Sequence, residues 1–319
     1  MLSTNRKTSL ILLSCTLVYL TACQTKETKT EAAPVDQPKP AAISLSGRPL
    51  FAPEPSQKLL ERYQKHRQNY QSDTTNADLL IWYGRFTAYK GDYDEAINLF
   101  TKGVKQFPSD PRFLRHRGHR YISVRKFDQA ILDLEAAAGL IEGTENEIEP
   151  DGMPNAQNIP VSTLHGNIYY HLGLAYYLKH DFEKALSAYQ KCLASSSNND
   201  NLVSSTHWLY MISRRLGWEQ EAKAYLTPIS DTLKVIENSG YHRICLFYKG
   251  LFMEEELTQS DGNQAASDAV YYGLGNWYFY NGNEEKANEV FRKILARDSW
   301  NSFGFIAAEV EMEGSFQKY

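Results

Sequence analysis

Cysteine is scarce in this chain of 319 residues: there are four, and two of them fall within the first 23 positions. The other two, Cys192 and Cys245, are too few for a disulfide framework. Each sits in an apolar helical pattern, so both are expected as small buried residues, with a bridge between them left open. The signatures of common chemistry are also missing: there is no HExxH or CxxC for zinc, no GxxxxGK[ST] loop, no GxSxG elbow and no glycine-rich dinucleotide turn. His116 and His119 share a helix face, with His165 and His171 further on, but zinc needs three or four converging ligands. No metal, no cofactor and no enzymatic activity are expected. Basic charge is short too: 34 Lys and Arg against 38 Asp and Glu leave a net charge of −4. That balance argues against a nucleic-acid partner.

What the chain does have begins at the N-terminus. Arg6 and Lys7 precede an apolar stretch, Leu10 to Leu20, too short to span a bilayer, and Leu20-Thr21-Ala22-Cys23 ends it with small residues before a cysteine. This resembles the lipobox of bacterial lipoproteins. The resemblance implies cleavage before Cys23, acyl chains on Cys23 that insert in the lipid bilayer, and a place in the bacterial envelope. Gln24 in place of aspartate points to the outer membrane. Two or more acyl chains hold a protein stably where one does not. Loss of residues 1–22 removes two cations and no acid, bringing the net charge to −6. Residues 24–53, rich in Pro, Ala, Thr and charge, are expected to be a disordered tether, with a reach of about 30 Å. The folded body is expected over 54–319.

The body repeats itself. Gly84, Gly118, Gly173 and Gly275 are each followed twelve residues later by Ala96, Ala130, Ala185 or Ala287, and four residues further by Phe100, Leu134, Tyr189 or Phe291. A fifth copy keeps Gly217, Ala222 and Leu226 but has Tyr210 at the first glycine position. Two helices that cross closely need a small residue at the crossing, and a glycine facing the alanine is the expected contact. The segment 77–110, ADLLIWYGRFTAYKGDYDEAINLFTKGVKQFPSD, resembles the tetratricopeptide repeat, with Gly, Ala, a bulky residue and Pro at that family's positions 8, 20, 24 and 32. The resemblance implies an all-α fold, a right-handed α-α superhelix of about five to six helix-turn-helix repeats. Repeats are expected at 77–110, 111–144, 166–199, 203–236 and 268–301, with a degenerate copy at 237–267, a leading helix at 55–72 and a closing helix at 302–313. The insertion 145–165, carrying Glu145, Glu147, Glu149 and Asp151, is expected to be a long loop and a candidate lid.

The resemblance also implies a concave groove lined by the first helices. Its offsets fall on Arg85, Tyr89, Arg112, Arg115, His119, Tyr170, Tyr177, His207, Arg214, Tyr272, Asn276 and Tyr280. Such a basic and aromatic lining suits a protein or peptide partner with acidic groups or, as the alternative, an anionic or carbohydrate small ligand held under the 145–165 loop. The most basic stretch, RFLRHRGHRYI at 112–122, admits a second account, in which its arginines pair with acids inside the protein. Arg117 falls where the family has a leucine-like core residue, so a carboxylate or carbonyl partner is expected for it.

Overall fold

The computed structural model describes residues 39–257 and 264–314. Residues 1–38, which include the expected leader, Cys23 and half of the tether, lie outside the described residues, as do 258–263 within the expected degenerate repeat. Among the described residues there are fourteen helices and one short antiparallel strand pair.

Helices α2 (Ala77–Tyr89) and α3 (Tyr93–Gln106), α4 (Pro111–Ser123) and α5 (Phe127–Leu140), and α6 (Leu164–Leu178) and α7 (Phe182–Ala194) form three regular pairs. α8 (Asn199–Arg215) pairs with a shorter α9 (Glu219–Tyr225), α10 (Ser239–Tyr248) with the single turn α11 (Glu254–Leu257), and α12 (Gln264–Tyr280) with α13 (Glu284–Leu295). The chain is an α-solenoid, with α1 (Gln57–Ser72) leading and α14 (Phe303–Gly314) following. Local sequence explains the boundaries. Asp110 caps α4 by accepting the amide of Arg112, with Pro111 at the first turn, where its missing N–H costs nothing. The helices of a pair are joined through a left-handed residue, and glycine serves at 91, 217, 250 and 282. Arg125 (φ 63°) and His180 (φ 58°) occupy that conformation without glycine's freedom.

The glycines do a different job from the one expected. A Cβ on Gly84, Gly118, Gly173 or Gly275 would lie 2.5–2.7 Å from Phe100, Leu134, Tyr189 or Phe291. Each glycine thus makes room for the bulky residue sixteen positions on, not for the alanine twelve positions on. The alanines are buried one turn earlier. Cys192 and Cys245 are both buried and free, so no bridge joins them.

Two features depart from an open superhelix. The expected tether ends earlier than residue 53: strands β1 (Ala42–Ile43) and β2 (Pro49–Leu50) form a hairpin, Ala42 and Leu50 join the core, and Trp300 Nε1 donates to Phe51 O at 2.7 Å. Helix α14 does more than close the end. It packs on α12 and α13 and reaches α6, and Phe305, Ile306, Ala307 and Ala308 are buried in succession. A helix covered on all sides is core. The curvature of the solenoid brings its two ends together: Asn301 donates to Tyr93 Oη at 3.0 Å, and the Tyr93 and Trp300 rings meet edge to face.

Candidate functional site

Two buried ion pairs fasten α14. Arg125 donates to Glu309 Oε2 and to the carbonyls of Ser123 and Trp300, at 2.6–2.8 Å, while Glu309 Oε1 accepts the amide of Leu45. Arg215 places both Nη atoms on Glu311, at 3.1 and 3.2 Å, and Tyr272 donates to the same carboxylate. These acids come from the protein itself and sit where a partner's acids were expected.

The twelve groove residues are accordingly divided. Tyr177, His207, Tyr272 and Asn276 are fully buried: Tyr177 and Tyr272 share a hydroxyl hydrogen bond of 2.6 Å, and Asn276 donates to Tyr177. Tyr272 is covered by α14 through Glu311, whereas His207 is enclosed by Tyr241 and Tyr248 of α10 and by Gly273 of α12. Tyr170 bonds Tyr241 and Trp208. Arg214 lies over the Tyr280 ring and donates to Asn281. Arg112 is held by Asp110 and by Asp78 of the preceding repeat. Only Arg85, Tyr89, Arg115 and His119 are brought together around one opening.

That opening is a cavity of about 190 Å³ between α2, α4 and the loop before α6. The loop is pinned by hydrogen bonds with residues outside it: Arg85 Nη1 donates to Pro150 O at 2.8 Å, Arg62 to Gly152 O at 2.8 Å, and Asn155 to Glu237. A Cβ on Gly152 would lie 2.5 Å from the Tyr89 hydroxyl, so glycine lets the loop rest on the phenol. Glu149 turns inward from this loop, accepting from Asn167 at 2.9 Å and lying 3.1 Å from Arg115 Nε. Arg115 and Glu149 are both buried. The expected lid is therefore a cover with one acid pointing in.

Three guanidinium groups face this space, those of Arg85, Arg115 and Arg120. Burial lowers the pKa of Arg115, with Glu149 opposing, and lowers that of Arg120 with only tyrosines opposing. Burial also drives His116, His119 and His171 well below the usual histidine range, and the neighbouring arginines reinforce this. All three imidazoles are neutral, so they add hydrogen-bonding capacity without charge. Arg120 was not singled out by the groove offsets. Its signal in the sequence was a cation at the position where the preceding repeat places Phe86, a buried ring 34 residues earlier.

The remaining arginines of the stretch have internal partners. Arg117 makes a two-pronged pair with Asp133, at 2.7 Å in both arms, and a third bond to Thr101, which is the kind of partner its core position demanded. Among the described residues, no group of three His, Cys, Asp or Glu side chains could hold a metal, and no helix is long and apolar enough to cross a membrane.

With six helix pairs in place, comparison with known proteins becomes informative. Tetratricopeptide-repeat family models match residues 166–199 and 269–299, the third and last regular pairs. The chain carries tetratricopeptide repeats. Among curated proteins it is 24% identical over 245 residues to human RNA polymerase II-associated protein 3, covering 76% of this chain and 30% of that one. It is 31% identical over 108 residues to the yeast small glutamine-rich tetratricopeptide repeat-containing protein 2, covering 34% and 25%. The chain thus spans between a quarter and a third of the length of these relatives. Among solved structures it is similar to YrrB, a tetratricopeptide protein described with an unusual peptide-binding site, at 16% identity, with 78% of this chain and 99% of that one covered and a TM-score of 0.41. It is also similar to MamA from Desulfovibrio magneticus, at 20% identity, with 54% and 83% covered and a TM-score of 0.41. The tetratricopeptide solenoid is a scaffold suited to protein–protein interaction.

Proposed function

We propose that this protein is a non-enzymatic, lipid-anchored adaptor of the bacterial envelope, on the outer membrane, that holds a protein partner at the face formed by the 145–165 loop and the first two repeats. The observation that carries this reading is the occupation of the concave face. With α14 inside, the interior groove residues are committed, and the basic opening under the loop is where the expected groove remains reachable. The same loop exposes Ile148, Met153 and Ile159 at 62%, 57% and 47%, an apolar presence unusual in a loop otherwise rich in acids and amides. Anchoring is supported by the sequence alone, through the small residues before Cys23.

Two measurements test the two halves. A photo-crosslinking residue at Met153 should trap a discrete envelope protein that the same residue at Leu251, equally exposed but outside the loop, does not. Identical yields at both positions would remove the docking face. Labelling with radioactive palmitate and membrane fractionation should show the protein in membranes with label, and Cys23→Ser without either. An unlabelled wild type would remove the anchor and leave the docking face untouched.

A further inference from the structure

The cavity under the loop holds more positive charge than it answers. Of its three guanidinium groups, Arg115 has Glu149. Arg85 has only neutral company: Pro150 O at 2.8 Å, the Tyr89 hydroxyl at 3.4 Å and the Trp82 ring at 4.5 Å. Arg120 lies 5.6 Å from the Tyr93 ring and has no hydrogen-bond or ion-pair partner among the described residues. Asp151 and Glu237 also border the cavity, but both are exposed at its rim, where water screens them, and Glu237 already accepts from Asn155. Arg85 is buried and Arg120 half-buried; a guanidinium even partly withdrawn from water without a counter-ion is costly, and its planar fork matches the oxygens of a carboxylate or phosphoryl group.

A second chamber of about 260 Å³ opens beside the first and shares Val161, Ser162, Asn167 and Glu237 with it. Its wall carries the hydroxyls of Thr163 and Ser204 together with the rings of Tyr170 and Tyr241, while Asn201 is spent on the carbonyls of Cys192, Leu193 and Ser196, and Asp200 on the amides of Ile236, Glu237 and Asn238. That lining suits the hydroxylated body of a small molecule whose charged head lies in the first chamber.

We propose that this bipartite cavity binds a small hydroxylated oxyanion, a sugar acid or sugar phosphate, whose anionic head lies between Arg85 and Arg120 beneath the loop. The site is independent of the adaptor reading, because it needs neither the anchor nor a partner. Binding would also set the loop: a head that takes Arg85 competes with Pro150 O for the same guanidinium.

The test uses the full-length chain in detergent, with thermal melts and calorimetry in inorganic phosphate, glucose 6-phosphate, gluconate and glucose, each against sodium chloride of equal ionic strength. Glucose 6-phosphate or gluconate should raise the melting temperature and bind at least tenfold more tightly than glucose. Preference between them names the head as phosphoryl or carboxylate. Arg120→Gln should cut that affinity at least tenfold while leaving the ligand-free melting temperature equal or higher, since it removes a charge that lacks a partner. Arg214→Gln, outside both chambers, should bind as wild type does. No shift beyond that of chloride, or a shift kept in full by Arg120→Gln, would overturn the proposal. Loss of ligand-free stability in Arg120→Gln would do the same, by making Arg120 a structural residue.

Discussion

Glu309→Gln should loosen the protein at both ends at once. Arg125 and Glu309 are 3% and 6% exposed, and among the described residues Glu309 is the one carboxylate touching this guanidinium, whose other acceptors are the Ser123 and Trp300 carbonyls. The substitution keeps the shape and leaves a buried cation without its counter-ion, a change that costs about 3–5 kcal/mol when one partner of a buried pair is removed. Glu309 also accepts the amide of Leu45, so the 42–50 hairpin and α14 share the loss. Hydrogen exchange in the native state should show amide protection in the hairpin and in α14 falling together by roughly 100-fold, the equivalent of about 3 kcal/mol, with α1 to α3 less affected. The pair can be told from a mere contact by a second variant. Arg125→Gly added to Glu309→Gln removes the orphaned charge, and at φ 63° glycine also relieves about 1 kcal/mol of left-handed strain. The double variant should therefore be more stable than Glu309→Gln alone. A single variant that costs less than about 1 kcal/mol, or a double variant weaker than the single, would refute the account of α14 as a helix latched by charge.

Acid should weaken the fold through its histidines. Burial holds His207 near pKa 3, and His116, His119 and His171 well below 6.5, whereas the unfolded chain protonates each near 6.5. The stability of these neutral rings is complete above about pH 6.5 and is lost as pH falls through that value towards 3. At pH 5, His207 alone should cost about 2 kcal/mol, and melts of His207→Phe at pH 7.5 and 5 should differ less than those of the wild type. Gly118→Ala puts a Cβ 2.7 Å from Leu134 and should cost about 1–3 kcal/mol in urea unfolding, while Gly139→Ala, with open space around it, should gain about 0.5–1 kcal/mol. Gly304→Ala meets the backbone carbonyl of Asp268 at 2.3 Å, which cannot rotate away, and should cost about 3 kcal/mol or more. Arg117→Leu restores the residue type the repeat favours, yet it strands Asp133 and should lose about 3 kcal/mol, which Arg117→Leu with Asp133→Leu should largely recover.

The repeats were readable because a solenoid writes its packing at a fixed period. Helices α2 to α5 lie inside the expected limits 77–110 and 111–144, whereas α6, α8 and α12 begin two to four residues ahead of 166, 203 and 268; the leading and closing helices run over 57–72 and 303–314. The glycine contact was misassigned because both the alanine and the bulky residue recur at fixed distances, and spacing alone does not say which of two buried positions faces the glycine. The tether boundary was misplaced for a related reason: Pro49 and Leu50 pair in a strand of two residues, too short to leave an alternation in the sequence. The groove list failed for its inner members for a reason no local pattern carries. Whether a concave face is open depends on how far the superhelix curls and on what the last helix does once it arrives there.

The basic stretch 112–122 separates the two kinds of information. Arg117 pairs with Asp133 at a spacing of sixteen, the same spacing that joins each repeat glycine to its bulky neighbour, so the register that fixes Gly118 on Leu134 also fixes the residue before each of them. Arg112 meets Asp78 one repeat, 34 residues, earlier. Both contacts follow from the period, and the sequence contained them. The pairs of Arg125 with Glu309 and Arg215 with Glu311 span 184 and 96 residues and belong to no period. They exist because the solenoid curls until its final helix enters its own groove. Charges at periodic spacing thus stabilise the repeat, and charges outside the period hold the closure. Arg120 has neither kind of partner among the described residues, and it is the cation of this stretch to which we assign a ligand.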